Sequence, residues 1–523
     1  MSEQDPSTSR ELPTPLAPGV KRRIFAGIGA QTIALILRVV QQLALVPIMI
    51  GGWGEAVFAN WLVLFSAASL LSGLDGGIQI YFGNALLIAR AKGDDAAFRR
   101  RIAVAMGAYG VILCGAIAIM AVGLIGDSLS VPIPAGAMDG PAAAKVLMLL
   151  AAATLILIPF GLVTAIYRAY GDYGRAGAMS ISAEAVRGLA VCVVVLLGGT
   201  PVAAAGVFLA VAVMYWVIVV FDQRRRYRHI SLAPAWPTMP EFKEGAVGSA
   251  LYLAPTLASP FIINAPILLL GMFNEHPMVV VLFTVTRTFT GFVRQIVHQF
   301  SHPVGAELTR QQAEGADAAL TRLYSTSGRL ISGLAGLISG VTMTIAASFI
   351  DIWTRSEVSA DSWLTGVFLA TIVLGAPSTM AQQLFQYNNR PGVFAIAHAA
   401  NGVLAIGLCW SLIGSLGALG AAVAIGLAEV LTIGLFVTRA ASASVAQPLS
   451  KYLASSFFAA VIGLALGAGA AFGWATVLPT DTLAALALFG VVWTVTVAVP
   501  AFCLMMTAAE RAWLVGALRA RLS

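Results

Sequence analysis

The segment FGNALLIARAKGDDAAFRR, Phe82 to Arg100, has a similar copy 222 residues later, VGAELTRQQAEGADAALTR, Val304 to Arg322. The identical pairs are Gly83/Gly305, Leu86/Leu308, Gly93/Gly315, Asp95/Asp317, Ala96/Ala318, Ala97/Ala319 and Arg100/Arg322. Two further sets of matches preserve the order at slightly smaller offsets: Pro47 with Pro266, and Arg175, Gly177, Ile181, Leu197 and Gly199 with Arg390, Gly392, Ile396, Leu412 and Gly414. We interpret the chain as a tandem duplication, an arrangement typical of transporters whose halves move around a central site.

The composition indicates an integral membrane protein. Of the 523 residues 59% are hydrophobic and only 11% are charged, and the mean hydropathy is +0.87. The charges lie in short clusters between apolar runs of about 20 residues, the length that a helix needs to cross a bilayer. No alternation of apolar and polar residues suggests a transmembrane barrel. The net charge of +7 fits cytoplasmic loops rather than a nucleic-acid partner.

We predict an all-α integral membrane protein with about fourteen transmembrane helices. The predicted spans lie near 25–50, 56–75, 102–126, 145–167, 178–198, 203–221, 247–272, 277–300, 328–350, 362–387, 392–413, 417–438, 453–478 and 483–505. Spans seven to twelve would repeat spans one to six. The predicted parts are a disordered tail (1–20), an N-terminal six-helix lobe (21–230), a C-terminal six-helix lobe (231–445), and two added helices with a tail (446–523).

The basic residues predict the orientation. Most of the 31 Lys and Arg residues fall in the segments that are cytoplasmic if both termini lie inside, as the positive-inside rule requires. The four cysteines, Cys114, Cys192, Cys409 and Cys503, lie in apolar spans without metal-site or redox spacing. We therefore expect a multi-pass protein with no cofactor and no resident metal.

Arginines inside predicted spans are the main functional signal, because a charge in the membrane usually faces a cavity or a partner. Gln31, Arg38 and Gln42 follow one face of the first span at spacings of seven and four. Arg287, Arg294 and His298 repeat these spacings in the eighth span. Guanidinium groups bind phosphates and carboxylates bidentately, so the two stripes predict a cationic cavity for an anionic substrate. For Arg294 and His298, snorkelling to the membrane surface is the alternative.

Other polar residues within spans are weaker candidates. Arg187 is a further substrate contact, although Glu184 three residues earlier could neutralise it. Glu429 and Asp75 are the acids that could couple transport to a proton or sodium gradient. His398 and Asn401 share a face of the eleventh span, and a hydrogen-bonded packing role is the simpler interpretation. The seventh span contains Pro255, Pro260 and Pro266, which favour bends and a moving helix.

Four segments resemble Wzx-type polysaccharide transport proteins, of the superfamily that includes MATE exporters and the lipid II flippase. They are IMIGGWGEAVFANWLVLFSAASLLSGLDGGI (Ile48–Ile78), SHPVGAEL (Ser301–Leu308), IDIWTRSE (Ile350–Glu357) and NNRPGVFAIAHAANGVLAIGL (Asn388–Leu408). The likeness covers roughly residues 20–440 and rests on order and spacing. The chain departs from it in GGWGEAVFANW, where many relatives have a Tyr-Gly pair before the Trp.

The resemblance implies two six-helix lobes related by a pseudo-twofold axis along the membrane normal. It implies a non-enzymatic flippase of the bacterial inner membrane that moves a polyprenyl-diphosphate-linked oligosaccharide to the periplasmic leaflet by alternating access. The glycan would serve O-antigen, capsule or exopolysaccharide, and a polysaccharide polymerase and chain-length machinery would be partners. In related flippases a cationic lumen receives the diphosphate or an acidic glycan, and Arg38 and Arg287 match it by helix and depth.

Other functions remain open at this point. A MATE-like exporter of cationic small molecules would favour acidic and aromatic cavity residues, whereas the charge excess within the spans here is basic. A membrane polysaccharide polymerase or ligase would be expected to carry a long periplasmic loop, and none is predicted. A structural scaffold would leave the arginine stripes unexplained. The absence of a P-loop sequence argues against direct coupling to ATP.

Overall fold

The structure, a computed structural model, describes residues 18–125, 138–273, 276–313, 317–387, 391–498 and 500–501, with side chains from residue 40 onward apart from scattered positions. The predicted tail (1–20) and the end of the chain therefore lie almost wholly outside the described residues. Within them the chain is helical and has no strand.

Sixteen α-helices follow one another along the described chain. They are α1 Pro18–Leu70, α2 Ile78–Ala91, α3 Asp95–Ile125, α4 Gly140–Leu157, α5 Phe160–Ala169, α6 Tyr173–Leu196, α7 Pro201–Arg226, α8 Met239–Phe273, α9 Pro277–Ala313, α10 Asp317–Thr354, α11 Ser362–Gly375, α12 Ser378–Tyr387, α13 Pro391–Glu429, α14 Thr438–Ser444, α15 Leu449–Ala475 and α16 Leu483–Trp493. A 3₁₀ turn, Leu71–Asp75, follows α1, and π-helical segments follow α13 and α16.

The protein is an all-α integral membrane protein, as the composition predicts. Among the described residues ten helices are long and apolar enough to cross a membrane, or eleven if the bent pair of α11 and α12 counts as one span. Two of the ten each contain a glycine where the backbone leaves the helix, Gly54 (φ 77°) and Gly417 (φ 54°), and each of these helices covers two predicted spans. A shorter apolar helix, Ala484–Val497, covers the last one. The fourteen predicted spans are thereby all accounted for.

The structure adds a proline break at matching places in the two sequence repeats. Pro159 separates α4 from α5, and Pro377, 218 residues later, separates α11 from α12. Proline lacks the N–H that would continue the helical hydrogen bonds, so each helix is interrupted there. The first pair continues as a single candidate span, whereas the second is bent by 56°. These offsets lie within the range of the sequence matches.

The hydrophobic core is shared at one end of the molecule and divided at the other. One cluster joins both halves through residues such as Met49, Phe58, Phe283 and Ile350. A second cluster, with Phe98 and Tyr227, and a third, with Tyr324 and Val445, each lie within one half. The divided clusters adjoin the basic segments, 99–101 and 224–226 in one half and 322 and 439 in the other. The halves are therefore joined most extensively at the end away from the basic residues.

Helix α15 packs along α10 through small residues. A methyl group added at Gly336 would meet the carbonyl oxygen of Ala460, and one at Gly467 would meet that of Leu337. Such close backbone approach is a common basis of helix association in membranes, where lipid is as apolar as the side chains. The first added helix is thus anchored to the C-terminal half.

Candidate functional site

Arg294 of α9 forms an ion pair with Glu429 at the end of α13. Arg294 Nη1 contacts Glu429 Oε1, and Nη2 donates to Oε2 at 3.1 Å. The bidentate geometry matches the fork of a guanidinium to a carboxylate. This contact joins two of the predicted site residues, one assigned to substrate and the other to ion coupling, that are 135 positions apart in sequence.

The backbone changes helix type immediately after Glu429. Residues Val430–Val437 form a π-helix before α14 begins at Thr438. Segments of π-helix inside α-helices occur frequently at functional sites, since the extra residue per turn redirects side chains. The change begins at the carboxylate that holds Arg294.

Arg287, one helical face above Arg294, is bonded to the backbone of the proline-rich helix α8. Its Nη1 donates to the carbonyl oxygen of Ile263 at 2.5 Å, and its Nη2 lies 3.5 Å from that of Ile262. Pro266 has no N–H to offer the carbonyl of Ile262, four residues earlier, so this carbonyl is freed from the helix. Arg287 therefore stabilises the bend of α8, a role that the sequence analysis did not predict.

Two N–H groups of Arg287 face those carbonyls, and a guanidinium has five. The remaining N–H groups have no acceptor within the described part of the chain. The guanidinium carbon lies 5.9 Å from the ring of Phe283. Arg287 can thus hold α8 and still offer donors to an anion.

Helices α1 and α9 are in contact, as the matching stripes in the first and eighth spans predict. Gln295 Nε2 donates to Oε1 of Gln42 at 3.4 Å. Gln31 and Arg38 lie outside the residues whose side chains are described, so their places in the predicted cavity stay predictions.

A small pocket surrounds the Arg294–Glu429 pair. Its volume is about 20 Å³, and His298 and Gln382 are among its lining residues. A volume of this size holds about one water molecule. The ion pair therefore fills most of the polar space in this half.

His398 and Asn401 differ from the hydrogen-bonded packing role expected of them. Both ring nitrogens of His398 and Oδ1 of Asn401 are buried and have no partner among the described residues. The ring of His398 lies 4.2 Å from that of Phe394. These unpaired atoms lie on α13, the helix that carries Glu429.

A much larger cavity lies in the N-terminal half. Its volume is about 440 Å³, within the range of about 300–1,000 Å³ of small-molecule sites. Its lining comprises Gln41, Phe65, Ser69, Ser72, Asp75, Gln79, Thr154, Leu157, Ile158, Glu184, Arg187 and Phe208. Asp75 and Arg187, two of the predicted site residues, thus share this cavity with Glu184.

Asp75 is held at a tight turn beneath this cavity. Its Oδ1 accepts from the hydroxyl of Tyr109 at 2.6 Å and from the backbone N–H of Gln79 at 3.2 Å. The following residues Gly76 and Gly77 have φ of 58° and 81°, which glycine adopts at little cost. The carboxylate is 7% exposed, so it is a positioned acceptor rather than a surface charge.

Arg187 is oriented mainly by its own helix. Its Nε donates to the carbonyl oxygen of Ala183 at 3.1 Å, and its guanidinium carbon lies 5.1 Å from the ring centre of Phe208. The cation–π contact presents the guanidinium along the cavity wall.

Sequence reasoning missed Gln41, Gln79 and the two phenylalanines of this cavity. Glutamine in an apolar span was a usable signal, because an amide in a membrane needs a partner or a cavity. For Phe65 and Phe208 there was no signal, since phenylalanine is common on lipid-facing surfaces. No group of three or more His, Cys, Asp or Glu residues that could hold a metal ion occurs within the described ranges.

The two halves are also linked at the basic end. Glu241, at the start of α8, accepts two bonds of 2.7 Å from Arg100 of α3. Hydrogen bonds from Arg100, together with those from Thr238, lower the pKa of the Glu241 carboxyl to about 2. Tyr81 of α2 donates to Glu244 at 3.2 Å. These contacts hold the start of α8 against the N-terminal half.

No family model matches the chain, and neither does any curated protein. Solved structures do. "Lipid II flippase MurJ, inward closed conformation" superposes with a TM-score of 0.67 at 10% identity, covering 94% of this chain and 100% of that one. An inward-facing multidrug resistance MATE family transporter of the MOP superfamily has a TM-score of 0.62 at 15% identity, covering 81% of this chain and 99% of that one. The chain therefore has the fold shared by the MurJ lipid II flippase and MATE transporters of the MOP superfamily.

Proposed function

We propose that this protein is a flippase of the Wzx type, which moves a polyprenyl-diphosphate-linked oligosaccharide from the cytoplasmic to the periplasmic leaflet of the bacterial inner membrane. The observation that carries the proposal is the pair of arginines on one face of α9, Arg287 and Arg294, inside a bundle with the lipid II flippase fold. A diphosphate is the lipid-linked group that two guanidinium forks would hold best.

In this proposal the two lobes, 21–230 and 231–445, move against each other, with both termini cytoplasmic. The shared core lies at the end away from the basic residues, so the other end can open towards the cytoplasm. The sugars need a polar path, whereas the lipid tail can remain in the bilayer. No enzymatic step is required. A polymerase and chain-length machinery would use the flipped product.

The Arg294–Glu429 pair suggests how transport is coupled. A diphosphate that binds Arg294 must compete with the carboxylate of Glu429 for the same N–H groups. A proton on Glu429 weakens that competitor, so proton uptake and head-group binding favour one another. Asp75 is the second acid to which a proton or sodium gradient could couple. Because coupling is reciprocal, the head group should also raise the proton affinity of Glu429.

The experiment measures lipid-linked oligosaccharide in a deletion strain of the native host. The deletion should leave the precursor on the cytoplasmic face, and the wild-type gene should release it. The double variant Arg294→Leu/Glu429→Leu removes the site without leaving an unpaired charge, and we expect at least a tenfold loss of flipping at normal membrane expression.

The control is Arg90→Ala, which removes a pair with Asp95 of similar chemistry but 39% and 55% exposed side chains. It should complement fully. Absence of precursor accumulation in the deletion strain would overturn the substrate. Full complementation by the double variant would overturn the site.

A MATE-like exporter of cationic small molecules is the second candidate. The observation that favours it is the N-terminal cavity, which presents the carboxylates of Asp75 and Glu184 beside two phenylalanine rings. Accumulation of a cationic dye in the deletion strain, without accumulation of lipid-linked sugar, would favour this function over the flippase.

A further inference from the structure

The N-terminal cavity presents amide groups that the protein itself does not use. The side chains of Gln41 and Gln79, and the hydroxyl of Ser69, line it and have no hydrogen-bond partner within the described part of the chain. Each amide offers both donors and an acceptor. Polar groups at membrane depth are costly unless they are paired or face a polar cavity, so these amides are placed for water or for a ligand.

Two glycines make room for these amides. A methyl group added at Gly188 would overlap the side chain of Gln41, and one at Gly161 would overlap that of Gln79. Each glutamine therefore lies against bare backbone of a neighbouring helix, α6 or α5. The cavity owes its width at two separate walls to the absence of a side chain, which indicates a shaped site rather than a packing fault.

The charges of the cavity select against ions. Two carboxylates, Asp75 and Glu184, oppose a second anion such as a diphosphate, and the guanidinium of Arg187 opposes a cation. Tyr109 and the backbone of Gln79 already donate to Asp75. The remaining groups both donate and accept, as the hydroxyl and acetamido groups of a sugar do.

The apolar part of the wall suits the same ligand class. Phe65 and Phe208 pack edge to face with ring centres 5.8 Å apart. Sugar rings present C–H groups on their faces and polar groups on their rims. An aromatic wall bordered by amides and carboxylates matches that distribution.

We propose that the N-terminal cavity binds an uncharged sugar residue of the transported glycan, separately from the arginines of α9 that hold the diphosphate. This inference rests on the proposed flippase function and assigns the sugar to the other half of the bundle. A substrate would then bridge the two halves, with its head group on one and its glycan on the other.

The test uses the full-length protein in detergent micelles and two probes, farnesyl diphosphate and farnesyl-diphosphate-linked N-acetylglucosamine. For the wild type we expect the sugar-bearing probe to bind about tenfold more tightly, the equivalent of one or two net hydrogen bonds. Gln41→Leu removes one amide, and Gly188→Ala displaces it. Either variant should reduce the tenfold preference to less than threefold and leave the affinity for farnesyl diphosphate within twofold.

Gln447→Leu, at the far end of α14, is the matched control and should retain the full preference. Equal affinity of the wild type for both probes would overturn the sugar subsite while leaving the flippase proposal intact. An undiminished preference in Gln41→Leu and Gly188→Ala would also overturn it. If neither probe binds the wild type, the flippase proposal fails, and the sugar subsite fails with it.

Discussion

The two halves of the molecule contain pockets at corresponding places with opposite contents. Thr154, Leu157 and Ile158 line the N-terminal cavity just before Pro159. Residues 218 positions later, Ile372, Gly375 and Ala376, line the C-terminal pocket just before Pro377. The first pocket measures about 440 Å³ and the second about 20 Å³.

The difference lies in the side chains that enter each pocket. In the C-terminal half Arg294 and Glu429 meet across the space and occupy it. In the N-terminal half Arg187 bonds to its own helix at Ala183, and the amides lie back against glycines. One duplicated architecture therefore holds an open polar site and a closed ionic one. Duplication preserves the helix break, because backbone geometry depends on proline, but it does not preserve the charges.

The largest effect is expected where the comparison is broken at its ionic side. Arg294→Leu leaves the Glu429 carboxylate unpaired, and we expect the free energy of unfolding to fall by roughly 2–3 kcal/mol. The figure is below that of a fully buried pair because the Arg294 side chain is 41% exposed. Arg187→Leu, the counterpart in the open cavity, should cost less than about 1 kcal/mol. Chemical unfolding in mixed micelles measures both, and equal losses would contradict the contrast.

A smaller effect is expected from the hydroxyl that positions Asp75. Tyr109→Phe removes a 2.6 Å hydrogen bond to a carboxylate and should destabilise the protein by about 1.5 kcal/mol. The matched control is Tyr81→Phe, which removes an exposed hydroxyl from Glu244 and should cost about 0.5 kcal/mol or less. If the two variants unfold at the same temperature, Asp75 does not depend on Tyr109.

Filling the cavity tests the role of its glycines. Gly161→Ala inserts a methyl group where Gln79 lies, so we expect a cost of about 1 kcal/mol. In the closed pocket Gly375→Ala would place its methyl group 3.6 Å from Glu429 Oε1, an ordinary contact, and should be neutral or stabilising. Thermal unfolding compares the pair. A neutral Gly161→Ala would mean that the cavity wall yields readily.

The smallest effect concerns the link between the halves. Arg100 lowers the pKa of Glu241 to about 2, so the contribution of this pair is present above the usual Glu value of 4.5 and is lost as the pH falls through about 2. Glu241→Gln should therefore lower the unfolding temperature slightly at pH 7, and the difference should disappear near pH 2. A difference that disappears between pH 7 and 5 would contradict the link.

The sequence by itself determined the class of fold. Apolar runs of span length and their charged boundaries predicted all fourteen helices, because a bilayer demands such runs whatever the tertiary packing. The repeated segment at Phe82–Arg100 and Val304–Arg322 predicted the two-half organisation, and the matching breaks at Pro159 and Pro377 fit it. Equal spacing of polar residues predicted that the first and eighth spans meet, as Gln42 and Gln295 do.

Only the tertiary structure decided what each charged residue contacts. Arg294 and Glu429 are 135 residues apart, and no local pattern relates them. Arg287 bonds to carbonyls freed by a proline on another helix, and Gln41 lies against Gly188 on a third. Periodicity gives the face of a helix on which a residue lies, but the neighbour on that face depends on how the helices pack. The sequence could therefore indicate a membrane bundle with buried arginines, and the packing alone distinguished its open pocket from its closed one.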